Sequence, residues 1–404
     1  MIENIANSNS KNESQATVLG RLKNSQALLV DGDDLVIEQR NQIFRLDKNG
    51  QREHLFKFKS TALSKLLNRS RLLYRLRRRG VFSAAIHDGS YFFARQGELW
   101  SFAPGQAKPT LEFEFPRGNG PLQFTSISDV PEFDSSIYFG EYFRNDSALP
   151  VDIFRRNTDG TWDVCYTFGE GEINHVHTMI PDRFNNCIWI LTGDFDNAAA
   201  IWKAEKNFET VKRVVSGHQK FRSCVAYATP RGLLYATDSQ FETNQIRLLT
   251  EENGEWVSIA LHQLNGSCID GCELRDYLVF STATEPNTYW THVESPTRLG
   301  RLWGYLIWLF DNRPGPGILL NQTDIVVCKK NDMDQISIIH SIEKDIFPYR
   351  LFQFGRAKFP IGKNDSNRLH AYFIATKQND LCTVSWQLSD VHDERLSKTS
   401  FDGE

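Results

Sequence analysis

The chain has 404 residues, 40% hydrophobic and 12% aromatic, with a formal net charge of −4. That is ample material for a large core, and the mild negative charge argues against nucleic acid as a partner. The longest apolar run, Leu302 to Phe310, is about half of the roughly 18 residues that span a bilayer.

Residues 1–22 open with an Asn-, Ser- and Lys-rich stretch without an apolar run, so they read as an unstructured segment and not as a signal peptide. From 23 to 390 almost every segment is a short run of β-formers with turn residues every 8–12 positions or so. Four of these runs end on an acidic residue: Ile137 to Glu141, Ile188 to Asp194, Leu233 to Asp238 and Leu278 to Glu285. Their spacing, roughly 45–55 residues, is that of a four-stranded propeller blade. The expected fold is therefore all-β: a single β-propeller of seven blades with about four strands each. The blades fall at about 24–59, 80–115, 121–168, 172–214, 220–262, 266–345 and 349–389, and 391–404 reads as an unstructured tail. The sequence leaves open whether the last blade borrows a strand from the other terminus.

Three hairpins carry tight-turn signals: Asp47-Lys48-Asn49-Gly50, Asn157-Thr158-Asp159-Gly160-Thr161-Trp162 and Glu252-Asn253-Gly254-Glu255-Trp256. The second is similar to the Asp-box of sialidase-like propellers, which lies on the outer part of a blade, so all three read as folding signals. Two segments break the β pattern and read as short amphipathic helical insertions. Residues 61–79 place Leu63, Leu66, Leu67, Leu72, Leu73 and Leu76 among seven basic residues, and 296–310 are rich in Trp, Tyr and Leu. Such helices either pack on the propeller flank or lie on an anionic membrane surface. The seven cysteines, odd in number and without a CxxC pair, fit reduced thiols. The expected location is cytoplasmic, with peripheral contact at the inner membrane face.

In a propeller, the loop entering each inner strand and the loop between the second and third strands share one face. Glu141, Asp194, Asp238 and Glu285 fall at second-to-third loops. His175, His177, Gln219 and Arg222 fall at inner-strand entries. His175 and His177, two apart on a strand, present both imidazoles to one side. They can hold a divalent metal with Asp194 or Gln219, act in acid–base chemistry, or be structural. Arg222 can grip a ligand carboxylate or pair with Asp194 or Asp238. Glu141 and Asp194 can form a carboxylate pair for glycoside hydrolysis. Asn145 and Asn244 can bond sugar hydroxyls or brace their loops.

Taken together, Phe139-Gly140-Glu141-Tyr142 with Asn145, His175-Val176-His177, Thr192-Gly193-Asp194, Gln219 with Arg222, Thr237-Asp238 with Asn244, and Lys344-Asp345 with Phe352-Gln353-Phe354-Gly355 resemble a family of bacterial propellers with BNR-like or sialidase-like blades. Members of that family often occur in capsule or exopolysaccharide gene clusters. The resemblance covers about 80–360 and implies a glycan context. It departs in blade six, where Arg298 to Phe310 are inserted, and at Gly120, where an Arg is expected and the nearest is Arg117. His175, His177 and Gln219 are also similar in type to the metal-holding residues of propeller lyases that degrade oligogalacturonides. The expected function is to act on an acidic polysaccharide as a lyase or a glycosidase, with His175, His177, Glu141 and Asp194 catalytic. Arg222, Gln219, Tyr142, Asn145, Asp238, Asn244 and Glu285 would contact the acidic glycan or its precursor. The alternative is a glycan-binding scaffold without turnover. A WD-type protein-binding propeller is disfavoured, because Gly217-His218 and Trp162-Asp163 do not recur.

Overall fold

The computed structural model describes residues 16–389, apart from 63–66, 68–69, 79, 195 and 288–296. Seven four-stranded antiparallel sheets are arranged as propeller blades, each running from an inner to an outer strand. The inner strands are Gln26–Asp31, Ser83–His87, Thr125–Ile127, His175–Asp182, Ser223–Thr229, Ser267–Glu273 and Arg356–Lys358. The all-β, seven-bladed, four-stranded reading therefore holds.

The core lies between blades. Cys187, Trp189, Leu191 and Ile201 of blade 4 pack on Ala226, Leu233, Tyr235 and Leu249 of blade 5. Blades 1 and 2 meet in the same way, through Val36, Ile43 and Phe56 against Tyr91, Phe93 and Phe102. A second strand is thus covered on both sides, which is why it reads as an unbroken apolar run rather than an alternating one. The strand Cys187–Gly193 is buried throughout.

Closure corrects one expectation. The segment 1–22, read as unstructured, contributes Ala16–Lys23 as the outer strand of blade 7, paired from Ala16–Leu388 to Lys23–Cys382. Its low apolar content misled, because an outer strand needs backbone partners more than a buried face. Thr383 fastens the junction: its Oγ1 donates to the Ser25 carbonyl at 2.7 Å and accepts from the Ala27 N–H at 3.1 Å. The rest of that segment and the tail 391–404 lie outside the described residues.

The three tight hairpins are folding devices. Asp47 Oδ1 accepts from the Asn49 and Gln51 N–H groups at 2.9 and 2.7 Å, and Asp159 Oδ1 accepts from the Thr161 N–H at 2.9 Å. Within the expected helical insertion, Ala62 and Leu67 are helical and helix α1 follows. It spans Arg71–Arg77 behind the Ser70 cap, and Leu63 and Leu66 lie outside the described residues. Its Arg75 is fully buried, bonded to Asp345 and Asp380 and to the Phe352 carbonyl, so this arginine does not belong to a solvent-facing basic stripe. Helix α2 spans Arg298–Phe310, capped by Thr297 Oγ1, which accepts from the Gly300 N–H at 3.0 Å. A single turn, α3 (Tyr349–Phe352), leads into blade 7. No helix among the described residues is long and apolar enough to cross a membrane.

Deleting residues 1–24 strips the outer strand from blade 7 and bares the edge at Cys382–Leu388. The expected result is loss of the cooperative thermal transition or a fall of at least about 10 °C in Tm, read by circular dichroism.

Candidate functional site

The inner strands of blades 1, 4, 5 and 6 each carry a one-residue bulge near the start. The extra residues are Leu28, His177, Cys224 and Ile269. A bulge breaks the alternation of sides and re-aims a side chain toward the mouth. In blade 4, Val176 packs into the core while His175 and His177 converge, their Nε2 atoms 3.1 Å apart. Two glycines permit the approach. A Cβ on Gly140 would lie 2.4 Å from Val176 Cβ, and one on Gly193 would lie 2.3 Å from His177 Cε1.

Each imidazole is oriented from behind. His175 Nδ1 faces the Phe143 carbonyl at 3.2 Å, and His177 Nδ1 faces the Ser223 carbonyl at 2.9 Å. A carbonyl only accepts, so both Nδ1 atoms carry hydrogen and both Nε2 atoms face the front, as donors to Asp194 when the ring carries a second proton and as lone pairs for a cation when it does not. Asp194 Oδ1 completes a triangle, 3.6 Å from His175 Nε2 and 3.3 Å from His177 Nε2. Ligands on a tetrahedral ion at about 2.0–2.1 Å sit about 3.3 Å from one another, so these three atoms have metal-site spacing. The Asp194 side chain, 27% exposed, is the opening of this cluster to solvent. A second group sharing His177, with Cys224 and Asp238, lies beneath it.

Arg222 lies across both groups. Its Nη2 is 3.2 Å from Asp194 Oδ1 and 3.6 Å from Asp238 Oδ2, and its Nη1 donates to Gln240 Oε1 at 2.9 Å. Burial pushes the Asp194 carboxyl up, but the two imidazoles and Arg222 outweigh it and hold Asp194 well below the usual carboxylate range. Burial pushes the Cys224 thiol well up, so it stays protonated and donates to Asp238 Oδ2 at 3.2 Å. Glu285 is pushed up to about 8, first by burial and then by the charge of Asp238, against the opposing pull of Arg222. Asp238 Oδ1 and Glu285 Oε2 are shut off from solvent with no hydrogen-bond partner. Three carboxyl groups thus share one guanidinium, and the site is short of positive charge. Tyr142 closes the cluster, its ring edge-on to His175 with centroids 4.6 Å apart and its phenol kept protonated chiefly by burial.

The other expected site residues are engaged elsewhere. Glu141 does not pair with Asp194. Arg117 grips it with two hydrogen bonds, one at 2.9 Å from Nε, and the Asp152 N–H donates to it at 3.0 Å. Arg117, the arginine nearest Gly120, thus neutralises a carboxylate. Asn145 braces its loop by bonding the Leu149 N–H and the Leu149 and Asn174 carbonyls. Asn244, fully buried, bonds Thr237, Ser239, Glu242 and Gly317. Gln219 donates to the Asp194 carbonyl at 2.9 Å and accepts from Ser239 Oγ at 3.1 Å, so it positions the Asp194 loop. Sequence reasoning missed Asn174, whose Oδ1 accepts from the Asp194 N–H at 3.1 Å, and also Gln240 and Cys224. Superposing the blade repeats reveals Cys224, because it takes the same bulge position as His177.

Beside the cluster the central channel is lined by Gln26, Gln123, Asp270, Arg356 and Lys358. Arg356 forks onto Asp270 with two bonds of 2.9 Å. Burial, and next to it Arg356, brings Lys358 down to about 8. The channel shares Gln26, Phe82, Arg356 and Lys358 with a cavity of about 210 Å³ under α1, which adds Tyr74, Arg78 and Tyr372 to the lining.

No protein-family model matches the chain, and no curated protein matches it. Solved structures do. Streptogramin B lyase aligns with a TM-score of 0.52 at 12% identity, covering 94% of this chain and 100% of that one. The AfRom2 CNH domain aligns at 0.50 and 10% identity, covering 93% and 99%. TolB from Acinetobacter baumannii aligns at 0.37 and 13% identity, covering 91% and 79%. At these identities the likeness is one of fold alone: a seven-bladed propeller.

Two outcomes test this geometry. The Glu285 carboxyl is raised from 4.5 to about 8, so in the cation-free protein its favourable contribution is complete below pH 4.5 and is lost as pH climbs through about 8. Glu285→Gln in a chelator-containing buffer should therefore match the parent at pH 5 and be more stable than it at pH 9, by a few kcal/mol in denaturant melts. Gly193→Ala should displace the His177 ring, and loss of cobalt binding followed by visible absorption would register it, with the fold retained by circular dichroism.

Proposed function

We propose that the mouth binds a divalent cation and, with it, the carboxylate of an acidic glycan, which it cleaves by β-elimination. The observation that carries this reading is the His175–His177–Asp194 triangle beside two buried, partnerless carboxylate oxygens. A cation there would relieve the surplus negative charge and supply positive charge to a uronate carboxylate. Arg222 would orient that carboxylate from the other side. With both imidazoles holding the cation, Glu285 is the group suited to accept the C5 proton, since its raised pKa suits a base near neutral pH. The C5–H and C4–O bonds break, a C4=C5 double bond forms, and the C–O electron pair leaves on the oxygen. Tyr142, held as a phenol, would donate the proton that the oxygen takes up. The glycosidase variant loses support, because Glu141 is committed to Arg117.

The glycan class draws on the resemblance to BNR-like and sialidase-like propellers of capsule and exopolysaccharide clusters, to which we assign the chain. In the adjoining channel Arg356 is matched by Asp270, and Lys358 is the further cation that would meet an acidic polymer.

Elemental analysis of the purified protein should find a stoichiometric divalent cation that is lost in His177→Ala. Uronate-containing polysaccharides should yield an ultraviolet-absorbing unsaturated product, reduced by about a hundredfold or more in Arg222→Ala and Glu285→Gln. Glycan binding without product would assign the site to a non-catalytic scaffold. Absence of both cation and glycan binding would overturn the proposal.

A further inference from the structure

The cavity of about 210 Å³ under α1 shares no described lining residue with the His175–His177–Asp194 cluster. Its walls come from three places in the fold. Helix α1 gives Tyr74, the connection into blade 2 gives Val81 and Phe82, and blade 7 gives Phe354, Lys358 and Tyr372. The helix above it is fastened down. Arg75 is fully buried on Asp345, Asp380 and the Phe352 carbonyl, and Gln353 Nε2 donates to the Arg75 carbonyl at 2.9 Å. Gly80 leaves room for the Tyr74 phenol, since a Cβ there would lie 2.8 Å from its oxygen. Gln353, also on the wall, holds φ 67° and ψ 168°, a backbone region that residues other than glycine rarely enter and that recurs at ligand clamps.

Three donors on these walls lack an acceptor. Lys358 and Tyr372 stand directly opposite each other in the ladder of blade 7, so both project to the same side, and Tyr74 packs on the cluster that holds Tyr372. Neither phenol hydroxyl makes a hydrogen bond among the described residues, and burial keeps both protonated. Lys358 donates to the Phe82 carbonyl at 2.9 Å and forms no ion pair among the described residues. Two carboxyl groups act on it from nearby, Asp270 and Glu38. Asp270 is held by the Arg356 fork. Glu38 is enclosed: its Oε2 accepts from the Val81 N–H at 2.8 Å, its Oε1 has no partner, and burial pushes the carboxyl up, toward its uncharged form. Lys358 is thus a cation that faces a cavity without an anion of its own.

We propose that this cavity binds a small aromatic monocarboxylate, its carboxylate on the Lys358 ammonium and the two phenol hydroxyls and its ring among Tyr74, Phe82, Phe354 and Tyr372. Charge selects the head group. A cation would be repelled by Lys358, and a neutral molecule would leave the ammonium unanswered. A phosphate dianion would need a second spare cation, whereas Arg356 is held by Asp270. Size selects the body. An apolar cavity of about 150 Å³ takes a benzene ring, and the larger volume here leaves space for a carboxyl group beside it. Aromatic walls favour a flat ring through edge and face contacts. The inference is independent of the elimination chemistry at the mouth.

Isothermal titration of the full chain with benzoate tests this. One site should appear with a Kd of about 1 mM or tighter, and benzyl alcohol and benzylamine should bind about tenfold or more weakly. Lys358→Met should weaken benzoate about tenfold or more. Tyr372→Phe, which removes only a hydroxyl, should weaken it severalfold with the thermal transition retained, and it keeps the test open if the lysine variant does not fold. His177→Ala, with or without chelator, should bind benzoate like the parent, which separates this site from the mouth chemistry. No saturable binding of benzoate, equal binding of benzyl alcohol, or parent-like affinity in the Lys358 and Tyr372 variants overturns the proposal. So does loss of benzoate binding in His177→Ala, because the carboxylate would then sit at the cation cluster.

Discussion

Every feature of this protein depends on burial between blades. A single four-stranded sheet of this size cannot keep both of its faces dry, so each blade needs a neighbour on either side and the row must close on itself. The packing of Trp189 and Leu191 against Ala226 and Tyr235 is repeated in kind around the ring. Closure is completed by Ala16–Lys23 on Cys382–Leu388, which brings residues more than 350 positions apart into one ladder. The rigidity of that ring allows loops from different blades to hold polar side chains at fixed separations.

The mouth shows what the ring makes possible. A bulge at the start of an inner strand costs ladder bonds, yet it recurs in four blades, and in blades 4 and 5 it delivers His177 and Cys224 to one spot. Around them the electrostatics are unbalanced. Several other buried charges are matched: Arg356 with Asp270, Arg117 with Glu141, Arg75 with Asp345 and Asp380. At the mouth Asp194, Asp238 and Glu285 share one arginine, and Asp238 Oδ1 and Glu285 Oε2 have no hydrogen-bond partner. Burying carboxyl groups without full partners is destabilising, and this local imbalance is what the proposed cation would relieve.

The same face carries the exposed stripe of α2. Its packed side includes a glycine and a tryptophan under an arginine, and Leu299, Leu302, Trp303, Ile307 and Phe310 are exposed. A helix placed in this way gains little from the propeller core, and it stands on the same face of the ring as the His175–His177–Asp194 cluster.

By itself the sequence determined the architecture, because the demands of a blade are local. Unbroken apolar runs such as Ile188 to Leu191, Gly-bearing hairpins such as Asn253-Gly254, and the even spacing of the acidic loop residues each report on a few neighbouring positions. It also put His175 and His177 on one side of a strand, since two residues of separation suffice for that. What it could not decide was the partner of each charge. Glu141 and Asp194 hold equivalent places in successive blades, yet Arg117, from the connection before blade 3, takes one, while two imidazoles and Arg222 take the other. Asn145, Asn244 and Gln219 looked like ligand contacts and proved to be braces, because the groups they bond come from separate loops. Blade register is written in the chain one element at a time. Charge pairing at the mouth depends on which loops meet there, and only the closed ring fixes that.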